Sequence, residues 1–285
     1  MKIVYIIVLL FVLVSCSQKD NYRPEGLRKL TDNELIEAAK QDSFLNLKNA
    51  IFKNINGSII TKDSLAKLSY PCYRSLALDR YVDKNNNIIE VIIRPATRVD
   101  KELAASISLA SQKALNIELV DIDCKKIEEI LDSIYILDQE MRQNGNSINL
   151  EIDNQNINKV ISIINKCGMP TLDNVNTHQM DAIWLVFQHT QHSIIKEYFP
   201  LFQESAKNGN TKLSHIALMT DRLLMNEGKP QLYGSQIQQA CKNKWEIYDL
   251  DKPKTVDKRR HEMGLKPLSE YVSYWGIEFT VKQIK

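Results

Sequence analysis

Apolar positions along the second half of the chain recur every three or four residues. Ile127, Ile130, Leu131, Ile134, Leu137 and Met141 fall on one stripe, which predicts a helix that Asp123 can cap. Further helices are predicted at about 154–166, closed by Gly168 and Pro170, and at 177–192, 193–207 and 213–226, the last closed by Gly228. Residues 233–250 read as a polar loop with a short hairpin, and two short helices at 256–263 and 268–275 finish the chain.

The first half alternates between two periods. Thr31-Asp32-Asn33-Glu34 has capping-box spacing and opens a helix expected to reach Phe52, stopped by Asn56-Gly57. Leu78, Arg80 and Val82 then alternate, Asp83 to Asn87 form a turn cluster, and Ile88 to Ile93 is a β-branched run ending before Pro95, which together predict a hairpin. A helix over 100–115 and a strand over 117–122 complete the pattern. The fold class is α+β: a small α+β unit at 29–123, then a mainly α-helical domain with a short β-hairpin at 124–285.

The extreme N-terminus has a different character. Lys2 precedes an uncharged apolar run from Ile3 to Val14, and Leu13-Val14-Ser15-Cys16 supplies a small residue for a signal peptidase. The run is too short for a permanent span, which needs about 20 residues. Residues 1–15 therefore read as an export signal and 16–28 as a polar tether. The pattern resembles a bacterial lipoprotein lipobox. That resemblance implies a diacylglyceryl group on Cys16, further acylation such as palmitate, and attachment to the outer membrane facing either the periplasm or the cell surface. Ser17-Gln18-Lys19-Asp20 is similar to the short polar signal that sends some lipoproteins to the surface.

Charge narrows the choice of partners. Lys and Arg total 37 against 35 Asp and Glu, and removal of the signal takes away Lys2 alone. A nearly neutral chain without a basic stripe argues against a nucleic-acid partner held by phosphate neutralisation. Apart from Cys16, the cysteines are Cys72, Cys124, Cys167 and Cys241. None forms a C-x-x-C, and four buried thiols are expected, with a disulfide as the alternative in an oxidising compartment.

All five histidines lie between His178 and His261. A single helix over 177–192 would place His178, His189 and His192 on one face, suited to a metal, to shared acid and base roles, or to capping at the helix end. No H-E-x-x-H is present, so no metal and no cofactor is expected. Asp221 beside Arg222, and the loop Gly228 to Gln236 with its glycines, amides and phenol, complete the candidate chemistry. The chain shows no G-x-S-x-G elbow, P-loop, dinucleotide fingerprint or S-x-x-K pair. Val120-Asp121-Ile122-Asp123-Cys124 looks like an aspartyl-nucleophile strand, but a strand running into an Asp-capped helix explains it better.

Asp138-Gln139-x-x-Arg142, Gly168-Met169-Pro170-Thr171, Gln188-His189, Thr220-Asp221-Arg222, Gly228-Lys229-Pro230-Gln231-x-Tyr233-Gly234-Ser235-Gln236 and the run from Val256-Asp257 through Arg260 to Tyr271 carry a resemblance over about 125–275. Their order and spacing resemble an uncharacterised bacterial family, domain of unknown function 6624. The resemblance places His189, Asp221, Arg222, Gln231, Tyr233, Gln236 and Arg260 on the family's polar positions, with Gln188 beside them. The family commonly shows an acid just after its histidine, where this chain has Thr190-Gln191-His192.

Three readings follow. In the first, the domain binds a polar small molecule or a protein through Gln188, Gln231, Tyr233, Gln236 and Arg260. In the second it is a hydrolase with His189 as general base, Asp221 orienting it, and Arg222 or Arg260 stabilising negative charge. In the third the same residues form a buried network holding the loop 228–236 against the helices.

Overall fold

The computed structural model describes residues 22–43, 45–66, 76–143, 149–239 and 244–284. Cys16, the signal segment, Cys72 and Cys241 lie outside the described residues.

The first half is an α+β unit. A four-stranded sheet has the order β1 (Arg28–Lys29), β3 (Leu76–Val82), β4 (Ile88–Pro95), β2 (Ile51–Asn54), antiparallel except for the parallel pair β2 and β4. The hairpin β3–β4 turns where Asp83 accepts from the backbone of Asn85 and Asn87, and Asn86 takes a positive φ of 62°. Helix α1 (Asp32–Lys40) opens on the expected capping box, Thr31 N–H donating to Glu34 at 2.8 Å. It ends far short of Phe52, because Ile51 to Asn54 are taken into the sheet alongside Glu90 to Ile93. A short helix α2 (Lys62–Ala66) follows, and α3 (Arg98–Ala110) starts on a second capping box from Thr97 to Asp100. Leu30, Leu35, Ala50, Val82, Ile88 and Val91 form the core of this unit.

The tether expected to continue through residue 28 gives way at Tyr22. Its hydroxyl donates to Glu90 at 3.0 Å and accepts from Lys53 Nζ at 2.6 Å, fixing the chain to the sheet.

The strand expected over 117–122 is absent. Residues 113–123 instead run as a strap, whose later part is laid along helix α5 (Leu150–Cys167). Asn158 Oδ1 accepts from Glu118 N–H at 3.1 Å, Ser162 Oγ accepts from Val120 N–H at 2.9 Å, and Lys166 pairs with Asp121 at 2.7 Å. These three side chains sit four residues apart on one helix face, so the helix surface takes the place of a neighbouring strand.

Helices α4 (Ile127–Gln143), α5, α6 (Thr177–Gln188), α7 (His192–Lys207) and α8 (Leu213–Asn226) follow the periodicity closely. Their apolar stripes meet in one core containing Leu131, Ile134, Ile157, Val160, Ile183, Phe187, Ile195, Phe202 and Met219. The hairpin β5 (Ile237–Gln239) and β6 (Trp245–Ile247) and the helices α9 (Val256–Glu262) and α10 (Leu268–Ser273) enclose a smaller core of Val256, Leu268 and Val272. No helix among the described residues is long and apolar enough to cross a membrane.

Two of the four cysteines expected as thiols are joined. Cys124, just before α4, and Cys167, at the end of α5, form a disulfide with a Cα separation of 5.8 Å. Closing a loop of 43 residues removes chain entropy worth about 4 kcal/mol in the loop-closure treatment.

Buried His215 on α8 stacks on Trp184, ring centroids 3.9 Å apart. Burial pushes its imidazole down to about 4, against the opposing pull of Asp181 and with the help of Lys212. A group held below its unfolded value of 6.5 contributes stability that is complete above that pH and lost as the pH falls through 4. The full effect amounts to about 3 kcal/mol. Urea unfolding at pH 7 and pH 4.5 is expected to show a smaller acid loss in His215→Phe than in the parent chain, and equal losses would refute this account.

A cleft beside a latched loop

The three histidines expected on one helix face are separated by a break. Helix α6 ends at Gln188, with His189 as its C-cap at φ −107° and ψ 0°, and Gln191 turns extended before α7 begins at His192. The cause lies in Gln191. Its amide clamps the strap, accepting from Leu115 N–H at 3.0 Å and donating to Lys113 O at 3.0 Å, which requires the corner to leave the helix. His178, at the other end of α6, lies against Tyr135 with ring centroids 3.6 Å apart.

His189 faces α4. Its Nδ1 lies 3.1 Å from Asp138 Oδ1, while Arg142 Nε lies 3.0 Å from Nδ1 and 3.3 Å from Nε2. An ionised carboxylate can only accept, so Nδ1 donates to Asp138. Burial pushes Asp138 up, but the hydrogen bond from His189, with the charges of His189 and Arg142, holds it below its ordinary value. Arg142 also reaches Asp153 on α5 at 2.9 Å.

Asp221, which the hydrolase reading pairs with His189, points elsewhere. It is fully buried, and its carboxylate accepts from the backbone N–H groups of Leu232 at 2.7 Å, Tyr233 at 3.0 Å and Ser235 at 2.9 Å. Burial pushes this carboxyl up, opposed by those N–H bonds. The loop is tied down on its other side as well. Arg260, 1% exposed, donates to Tyr233 O at 2.6 Å and Lys266 O at 2.5 Å, with its guanidinium over the Tyr271 ring. Gln231 donates to Gln236 O and Tyr248 O and accepts from Gln236 N–H. Tyr271 Oη donates to Ser235 O at 2.9 Å. Gly234 has φ +73°, and a Cβ there would stand 2.7 Å from Leu268 Cδ1, so only glycine fits this turn.

Arg222, the neighbour of Asp221, projects into a separate space. Its Nε donates to Gln188 Oε1 at 2.9 Å. Burial, partly opposed by Tyr271, pushes the guanidinium below its ordinary value. Arg222 lines a cleft of about 510 Å³ together with His189, Thr190, His192, Asp153 and Asn156; Leu115 on the strap and Gln112 close one side. Several polar groups lining it are buried without a partner: both amide atoms of Asn156, Thr190 Oγ1 and His192 Nδ1. Gln188 Nε2, next to Arg222, and Arg142 Nη1, next to His189, are likewise buried and unpartnered. Burial pushes His192 down; Glu227 opposes this, while Lys196 and Lys229 reinforce it.

The candidate residues thus divide. His189 and Arg222 line the cleft, with Gln188 behind Arg222 as its bonded partner, whereas Asp221, Gln231, Gln236 and Arg260 hold the loop, with Tyr233 contributing its backbone N–H and C=O. Asp138, Asp153, Asn156 and Thr190 were not singled out as site residues from the sequence. Asp138 and Arg142 stand four apart on one helix face, which signals an ion pair. An asparagine within an isoleucine-rich helix is the signal for Asn156. No group of three or more His, Cys, Asp or Glu side chains among the described residues is placed to hold a metal ion.

Fold and site together define a helical domain with a polar cleft at one helix corner, backed by a loop latched to a buried carboxylate. Residues 143–283 match the model of a family of unknown function (DUF6624), and the chain carries a domain of that family. No curated protein and no solved structure matches the chain.

Proposed function

We propose that the chain is a lipid-anchored envelope protein whose helical domain binds a small polar molecule in the cleft between α5, α8 and the α6–α7 corner. One observation carries this reading: the walls of that cleft concentrate buried polar atoms without partners, above all the Asn156 amide. Such groups cost about 1–3 kcal/mol each when left unpaired. Folded proteins pair nearly all of them, so a cluster at one concave site favours a ligand that completes the bonds. The volume suits a metabolite-sized molecule. Titration of small polar compounds into the full chain in detergent is expected to give saturable binding that Asn156→Leu weakens at least tenfold. Unchanged binding in the variant would remove the cleft from consideration.

The anchor reading rests on the Lys2-to-Cys16 signal pattern. It gains support from the Cys124–Cys167 bond, since disulfides persist mainly in oxidising compartments. Mass spectrometry of membrane-extracted protein is expected to find an acylated Cys16 at the new N-terminus and a Cys124–Cys167 crosslinked peptide. An unprocessed N-terminus with free thiols would overturn this reading.

The hydrolase reading loses its dyad, because His189 and Asp221 have separate partners. The network reading is favoured for Asp221, Gln231 and Arg260, all of which bond to backbone.

A further inference from the structure

We propose that the cleft takes an anionic small molecule, a carboxylate or a phosphate ester, whose charged group docks on Arg222 while its uncharged polar part meets Asn156. This rests on the cleft being a binding site and adds the charge of what it binds.

The charge balance around the cleft is the first argument. Every other ionised group nearby is already in opposite company. Asp138 and Asp153 sit against Arg142 at 3.5 and 2.9 Å, and Glu227 sits against Lys196 at 2.7 Å and Lys229 at 2.6 Å. Arg222 alone among these bases has no carboxylate partner in the described residues; its polar contact is the neutral amide of Gln188. A half-buried cation without a counter-charge is unfavourable, and an anionic ligand relieves it.

Geometry is the second argument. The Gln188 bond occupies Nε and fixes the guanidinium plane, leaving the terminal N–H groups as the planar fork that two oxygens of a carboxylate or phosphate accept from. With Oε1 of Gln188 turned to Arg222, its amide nitrogen is left buried and unpartnered, a further donor close to the same cation. Asn156, 1% exposed, offers one donor and one acceptor, both unpartnered. That set matches an amide or hydroxyl rather than a second charge. A cationic ligand would place like charges side by side.

Isothermal titration of the full chain in detergent tests this directly. The probes are succinamate, inorganic phosphate and glycerol 3-phosphate, with succinamide and glycerol as neutral counterparts. At least one anion is expected to bind saturably, and at least tenfold more tightly than its neutral counterpart. A preference for succinamate identifies a carboxylate ligand, and a preference for glycerol 3-phosphate a phosphate ester. Arg222→Gln should weaken anion binding tenfold or more. Gln188→Glu, which gives Arg222 a carboxylate of its own while removing no side chain, should do the same and keeps the test valid if Arg222→Gln fails to fold. Neutral counterparts binding as tightly as the anions, or anion binding that survives Gln188→Glu, would overturn the proposal. If succinamide or glycerol binds and Asn156→Leu abolishes it, the cleft stands and the anion preference falls. If no probe of either charge binds, both fall.

Discussion

Asp221→Ala is expected to destabilise the helical domain by about 3–6 kcal/mol, because it strips the acceptor from three buried backbone donors at once. The N–H groups of Leu232, Tyr233 and Ser235 converge on one carboxylate in a fully buried position. Water cannot replace that acceptor without opening the loop. The Arg260 and Gln231 bonds reach the same loop from its other side, so its release also unpairs Tyr233 O and the backbone of Gln236. Asp221→Asn should cost less, since one amide oxygen still accepts while its NH2 faces donors. Urea unfolding followed by circular dichroism gives the measurement. A loss under 1 kcal/mol for the alanine variant would show that the loop does not depend on its latch.

Asn156→Leu is expected to do the opposite to stability while harming function. Leucine is close to asparagine in shape, and the position lies among Ile157, Val160 and Ile161 on a helix packed into the main core. Removing two unpartnered polar atoms there should stabilise the fold by about 1–3 kcal/mol. The same change deletes the donor and acceptor that a ligand would use, and weakens binding at least tenfold. Such opposite signs mark a group kept at the expense of stability. If the variant is instead destabilised by more than 1 kcal/mol, Asn156 has a structural role and the cleft loses its main support.

How much of this was legible in the sequence depends on where the deciding contacts lie. The stripe from Ile127 to Met141 and the boundaries of α8 depend on local periodicity, and helices follow there with ends within a few residues. The break between His189 and His192 has no glycine or proline to announce it. It is imposed by Gln191 reaching back to Lys113 and Leu115, 78 and 76 residues away. The strap at 117–122 shares the alternation of a strand, and only the spacing of Asn158, Ser162 and Lys166 on a distant helix decides against a sheet. The disulfide is of the same kind, since four cysteines without a motif allow several pairings. Family resemblance pointed to polar residues in one half of the chain. It could not say that Asp221 and Arg222, adjacent in sequence, point to different tasks, because that depends on which face of α8 each occupies.

The Cys124–Cys167 bond brackets both α4 and α5, the helices that carry Asp138, Arg142, Asp153 and Asn156. A protease cut anywhere between the two sulfurs therefore yields fragments that stay fastened to one another. On a non-reducing gel such nicked protein migrates as one band, and it separates into two only after a thiol is added. That fastening keeps α4 and its Asp138–Arg142 pair on the same particle as the α5 wall of the cleft after the backbone between them is severed.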